Sequence, residues 1–139
     1  MAALRYHAFW VSAWVLCKIV QVICGSDLGN DDFPENDLEA YLFAINKNPN
    51  AAQYILVADN YSPPRDMALL SFIHKPARVV MCGAESGILP EYLEIARKTG
   101  GSVHTISKDI DELIKKREGE VFTIGFQRFK ISAGHVQVF

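Results

Sequence analysis

The run Tyr54-Ile55-Leu56-Val57-Ala58, closed by Asp59-Asn60, constrains this chain more than any other feature. It is β-rich, short, and lacks alternation of apolar and polar residues, so it reads as a strand buried on both faces. Strands of that kind belong to parallel sheets flanked by helices. Asp59 then stands where the strand leaves the sheet, and ligands of open α/β sheets bind at the carboxyl ends of the strands.

The runs Ala77–Gly83 and Ser102–Ile106 repeat the strand signal. Between the strands, Leu38, Tyr41, Leu42 and Ile45 fall at spacings of three and four and predict a helix over 34–46. Pro34 suits its first turn, and Asp31 or Asp32 suits its cap. Leu89, Tyr92, Leu93 and Ala96 predict a second helix over 90–99, stopped by Gly100-Gly101. Residues 66–73 and 109–117 are further helix candidates, the latter with acids early and Lys115, Lys116 and Arg117 late. Beyond Gly119 the pattern changes. The runs 120–124, 127–131 and 135–139 are separated by Gly125-Phe126 and Ser132-Ala133-Gly134, which predicts a small antiparallel meander. Its apolar positions cover a sheet edge or a flank of the α/β layer, or else serve as a homodimer edge.

Residues 8–24 are largely apolar, with Phe9, Trp10, Trp14, Leu16 and Ile19 among them, but Lys18 interrupts the run. A spanning helix needs about 20 apolar residues and tolerates a central lysine badly, so no membrane span is expected. Two readings stay open: a core helix followed by a strand over 19–24, or a signal-like or membrane-surface segment. A cytoplasmic location is favoured under the first, a secreted or periplasmic one under the second. The organisation expected is an N-terminal apolar segment over 1–24, an α/β core over 25–118 and the meander over 119–139.

Within the 139 residues, half are hydrophobic and 22% charged, ordinary values for a globular chain. A net charge of −2 gives no electrostatic footprint for nucleic acid. The three cysteines, Cys17, Cys24 and Cys82, form no CxxC pair and sit in apolar runs, as buried free thiols do. Gly83-Ala84-Glu85-Ser86-Gly87 is neither GxSxG, GxGxxG nor a P-loop, and no histidine and aspartate can be assigned to Ser86 as partners. His74 and His104 read as satisfied or exposed side chains. Following Asp59, the loop Asn60-Tyr61-Ser62-Pro63-Pro64-Arg65 carries Tyr and Arg, frequent binding anchors. The two prolines equally suit a turn into the next helix.

Four stretches together resemble the von Willebrand factor A-like domains, of the bacterial type with a GGxDxPE-like loop. They are Gly29-Asn30-Asp31-Asp32-Phe33-Pro34-Glu35-Asn36, Ile55–Asp59, Val79–Gly83 and Leu93–Gly101, and they span about residues 25–107. The resemblance implies a three-layer, mostly parallel sheet flanked by helices, Rossmann-like in outline. It also implies a metal-ion-dependent adhesion site, with Asp32 (Asp31 as alternate) and Asp59 holding Mg2+. Carboxylate oxygens suit that hard cation. Nothing in residues 1–31 matches the family's Asp-x-Ser-x-Ser loop, so the resemblance is to a truncated or diverged copy with a degenerate metal site. Against metal binding stands the simpler reading that Asp32 caps a helix and Asp59 starts a turn. The function implied is non-enzymatic protein interaction, with Asn60, Tyr61, Ser62, Arg65, Glu85 and Ser86 facing a protein partner. The alternative is a small metal-assisted hydrolase or nucleotide-binding α/β domain using the same acids.

Overall fold

The computed structural model describes the backbone of Val20–Cys24 and all of residues 36–139. Residues 1–19 and 25–35, and with them Asp31, Asp32, Pro34 and Cys17, lie outside the described residues. Strands β1 (Val20–Cys24), β2 (Gln53–Ala58), β3 (Ala77–Met81) and β4 (Ser102–His104) run parallel in chain order. A short β5 (Asp109–Ile110) closes the sheet antiparallel to β4. The meander forms a second, antiparallel sheet of β6 (Val121–Ile124), β7 (Gln127–Ser132) and β8 (His135–Val138). The fold is therefore α/β with a C-terminal antiparallel sheet.

Helix α1 (Asp37–Lys47) connects β1 to β2, and α2 (Pro90–Thr99) connects β3 to β4. When parallel strands follow one another in chain order, right-handed connections place all their helices on one face. The side-chain contacts agree. The Tyr41 ring of α1 meets Tyr54 of β2 edge-on at 5.9 Å, and the Tyr92 hydroxyl of α2 lies 2.9 Å from Asp37 Oδ2 of α1. Leu38, Tyr41, Leu56, Val79, Tyr92, Leu93 and Ile95 are wholly buried between these helices and the sheet. Each apolar side chain of that size contributes about 1.5–3 kcal/mol on burial.

The strands correct the expectation of burial on both faces. Along β2 and β3, Tyr54, Leu56, Ala58, Ala77, Val79 and Met81 are buried, whereas Ile55, Val57 and Val80 are half-buried and Arg78 is exposed. Alternating side chains point to opposite faces, and the described helices cover only one. Cys82 is another correction: it lies one residue past β3 and is exposed, not buried.

Residues 109–117 form no α-helix. Thr105 Oγ1 accepts the Lys108 amide at 3.0 Å, reversing the chain so that Ile110 pairs with Val103 and is buried. Only a 3-10 turn at Leu113–Lys115 follows, entered through Glu112 at φ 63. Burial of Ile110 outweighs the charge pattern that suggested a helix. Residues 66–73 likewise form a 3-10 helix, Met67–Phe72, with no α-helical turns.

At the end of α2 the chain passes close to β3. Gly100 takes φ 72, and a Cβ on Gly101 would stand 1.9 Å from the Ala77 carbonyl oxygen. Thr99 Oγ1 donates to Ile95 O at 2.8 Å and accepts the Ala77 amide at 3.1 Å, pinning this junction to the start of β3. The meander packs on α2: Ile124, Phe129, Ile131 and Val136 join the core. Arg97 Nη1 donates to Gly134 O at 3.1 Å. Covering one flank of the α/β layer is thus what its apolar positions do.

Candidate functional site

Two loops leave the sheet side by side at the carboxyl ends of β2 and β3. The ladder continues past both strands, with the Cys82 amide donating to Ala58 O at 2.7 Å. Asp59 then turns the chain: its Oδ1 accepts the amide of Tyr61 at 2.9 Å, an aspartate mimicking a backbone turn. The turn reading of Asp59 is what the geometry displays.

Asn60 ties the loops together. It adopts φ 67, a conformation asparagine tolerates better than most residues. From there its Nδ2 donates to Gly87 O at 2.8 Å and to Gly83 O at 3.4 Å, while its Oδ1 accepts the Leu89 amide at 2.9 Å. Both ends of the side-chain amide are used, so the 83–89 loop is held to the end of β2 by one residue. Gly83 must come close for this, because a Cβ there would lie 2.9 Å from Asp59 O. Gln127 of β7 supports the same loop from the meander, its Oε1 accepting the Ile88 amide at 2.5 Å.

On this frame Tyr61 projects, 85% exposed, beside the exposed Glu85 and Ser86 of a 3-10 turn at Ala84–Ser86. Ser62 is half-buried, and its carbonyl oxygen lies 3.3 Å from the Tyr92 hydroxyl. Pro64 is buried, as a proline fixing a turn is. Arg65 differs from the expectation of a binding anchor: its Nε donates to Asn36 Oδ1 at 2.5 Å, tying the loop to the start of α1. Next to it Asp66 Oδ2 accepts the Glu39 amide at 2.7 Å, capping α1 from a distant segment where Asn36 makes no side-chain cap.

Of the residues expected at the site, Asp59, Asn60, Tyr61, Glu85 and Ser86 therefore share one rim, and Arg65 and the Ser62 carbonyl are turned toward the helices. Asp32 and its alternate Asp31 lie outside the described residues. Among the described residues no three His, Cys, Asp or Glu side chains converge as metal ligands. The structural roles of Gln127 and Asp66 were not visible in the sequence, since each acts on a segment dozens of residues away. The wholly buried Asp37 was also missed, because it lies outside the apolar stripe that marked its helix. No helix among the described residues is long and apolar enough to cross a membrane. No protein family, curated protein or solved structure matches the chain.

Proposed function

We propose that the rim formed by the 59–65 and 83–87 loops is a protein-interaction surface of the von Willebrand factor A kind, and that its role is binding without catalysis. The observation that carries this reading is the Asn60 clamp, which fixes two loops on the ends of rigid strands and leaves Tyr61, Glu85 and Ser86 outward. A large aromatic side chain held exposed on a fixed frame loses little freedom on binding, and tyrosine is a common anchor of interfaces.

A divalent cation belongs to the proposal through Asp59. Its carboxylate is half-exposed at the strand end, with Oδ1 taken by an amide, and such oxygen donors suit Mg2+. Asp32, or Asp31, is the proposed second ligand. The layered form of the family belongs here too: a second helical layer over Ile55, Val57 and Val80 would give the three-layer arrangement. A homodimer through the C-terminal meander is a further element of the proposal.

The deciding experiment measures thermal stability with and without Mg2+ for the wild-type chain and Asp59→Ala, beside capture of binding partners by the wild type and Tyr61→Ala. Ligand binding to the folded state raises stability by mass action. Partner capture lost in Tyr61→Ala supports the interaction surface. Equal capture by both sinks it. A magnesium stabilisation that survives in Asp59→Ala removes the cation from the proposal.

A further inference from the structure

Away from this rim, the two neighbouring strands β4 and β5 bring Ser102, His104 and Asp109 into one hydrogen-bonded line. Ser102 and His104 are two residues apart on β4, so they share the face of the sheet opposite α1 and α2. Asp109 stands opposite His104 on β5. His104 Nε2 is 2.7 Å from Ser102 Oγ, and Nδ1 is 2.7 Å from Asp109 Oδ1. An ionised carboxylate only accepts, so Nδ1 carries the proton and Nε2 is left with one lone pair, on which both Ser102 Oγ and Arg78 Nε converge. That is the tautomer in which a histidine can take a proton from a serine hydroxyl.

Arg78 completes the group. It pairs in register with Ser102 across β3 and β4, and its Nε donates to His104 Nε2 at 3.0 Å. A guanidinium is thereby placed beside the serine. Ser102 and Arg78 also line a cleft of about 640 Å³, together with Ala51, Tyr54, Lys75 and Pro76. That volume is in the range of small-molecule sites. The His104 side chain is 14% exposed, and that of its partner Asp109 is 70% exposed.

We propose that Ser102, His104 and Asp109 form an acyl-transfer site for small carboxylic esters, independent of the rim and of any cation there. Ser102 Oγ bonds to the ester carbonyl carbon as its proton passes to His104 Nε2. The bond from that carbon to the alcohol oxygen then breaks, and the alcohol leaves with the proton from Nε2. Water repeats the sequence: its oxygen bonds to the acyl carbon, Nε2 takes its proton, and Ser102 Oγ departs reprotonated, leaving a carboxylic acid. Arg78 turns from Nε2 to the carbonyl oxygen, where negative charge grows, which both frees the lone pair and stabilises the tetrahedral intermediate. Asp109 is a positioning residue that holds the His104 tautomer.

The test treats the full chain with a fluorophosphonate probe, locates the adduct by peptide mass spectrometry, and follows p-nitrophenyl acetate hydrolysis. The expected result is an adduct on Ser102, absent from Ser102→Ala, with hydrolysis at least about 100-fold slower in His104→Gln. Asp109→Asn should slow turnover and displace the pH profile, and Asp109→Glu should restore both in part. Circular dichroism checks that each variant is folded. A wild-type chain that takes no adduct on Ser102, or hydrolysis equal in wild type and folded Ser102→Ala, overturns the proposal. Because the adduct is mapped on the wild type, a variant that fails to fold cannot protect the idea. The assays contain no partner and no magnesium, so they can fail while the rim reading stands, and the reverse.

Discussion

Glu94 of α2 holds β8 of the meander: its Oε2 accepts the Val136 amide at 2.7 Å, and its Oε1 lies 3.0 Å from His135 Nδ1. Glu94 is only 4% exposed although it is charged, and it sits among the apolar residues Tyr92, Leu93, Ile95 and Ala96. Glu94→Ala should therefore leave a buried amide without its acceptor and cost about 2 kcal/mol. Glu94→Gln keeps an oxygen for Val136 and should cost less. The midpoints of urea unfolding for the two variants check this order; equal losses would mean that the amide bond is not what joins meander to helix.

Asn60 is expected to matter more for the rim than any exposed residue. Asn60→Ala removes the bonds to Gly87 and Leu89 and places alanine at positive φ, a combined loss of about 2–3 kcal/mol. Asn60→Gly relieves the backbone and loses only the bonds. Hydrogen exchange at the Leu89 amide should quicken in both variants; unchanged protection would show that the clamp does not hold the loop.

Gly101→Ala should destabilise by about 3 kcal/mol, since the new methyl meets the Ala77 backbone, which is fixed at the start of the central strand β3. Gly100→Ala strains only a positive φ beside the Ile114 side chain and should cost about 1 kcal/mol. Thermal unfolding of the pair tests whether crowding or conformation limits this junction.

Acid should loosen the meander. Glu118 accepts the amides of Gly134 at 2.9 Å and Ala133 at 2.8 Å, and these bonds hold its carboxyl below the usual glutamate range. Glu120 is lowered chiefly by its hydrogen bond with Lys116, then by the Arg117 amide. A folded-state value below the unfolded one gives stability that is present above the unfolded value and lost as pH falls through the folded one. Stability should thus decline with acidification from the ordinary glutamate range downward. Glu118→Gln should flatten that decline when thermal midpoints are compared between pH 7 and about pH 3. A profile as steep as the wild type's would assign the acid sensitivity elsewhere.

Much of the architecture was legible along the chain because it rests on local patterns. The apolar spacing of Tyr92, Leu93 and Ala96, with Pro90 ahead and Gly100 behind, marked α2 at its observed limits. The runs at 54–58, 77–83 and 102–106 were visible as strands, observed at 53–58, 77–81 and 102–104, and the glycine turns of the meander as turns. What misled was charge order in residues 109–117, where contact with β4 decided the conformation. Of the rim, the sequence marked Asp59, Tyr61, Glu85 and Ser86 as neighbours of strand ends. It could not show that Asn60 would join the loops or that Arg65 would turn to Asn36, because those bonds link residues 27 and 29 positions apart.

Hydrophobic periodicity, prolines and glycines, acting over a few residues, were enough by themselves to mark α1, α2, the strands β2, β3 and β4, the meander and the α/β class, but not β5 or the 3-10 turns. Tertiary structure alone decided which face of the sheet the helices cover, and that Ser102, His104 and Asp109 stand in line. Both depend on strand register and on which side a connection crosses, and no local pattern encodes a distance between separate segments of chain.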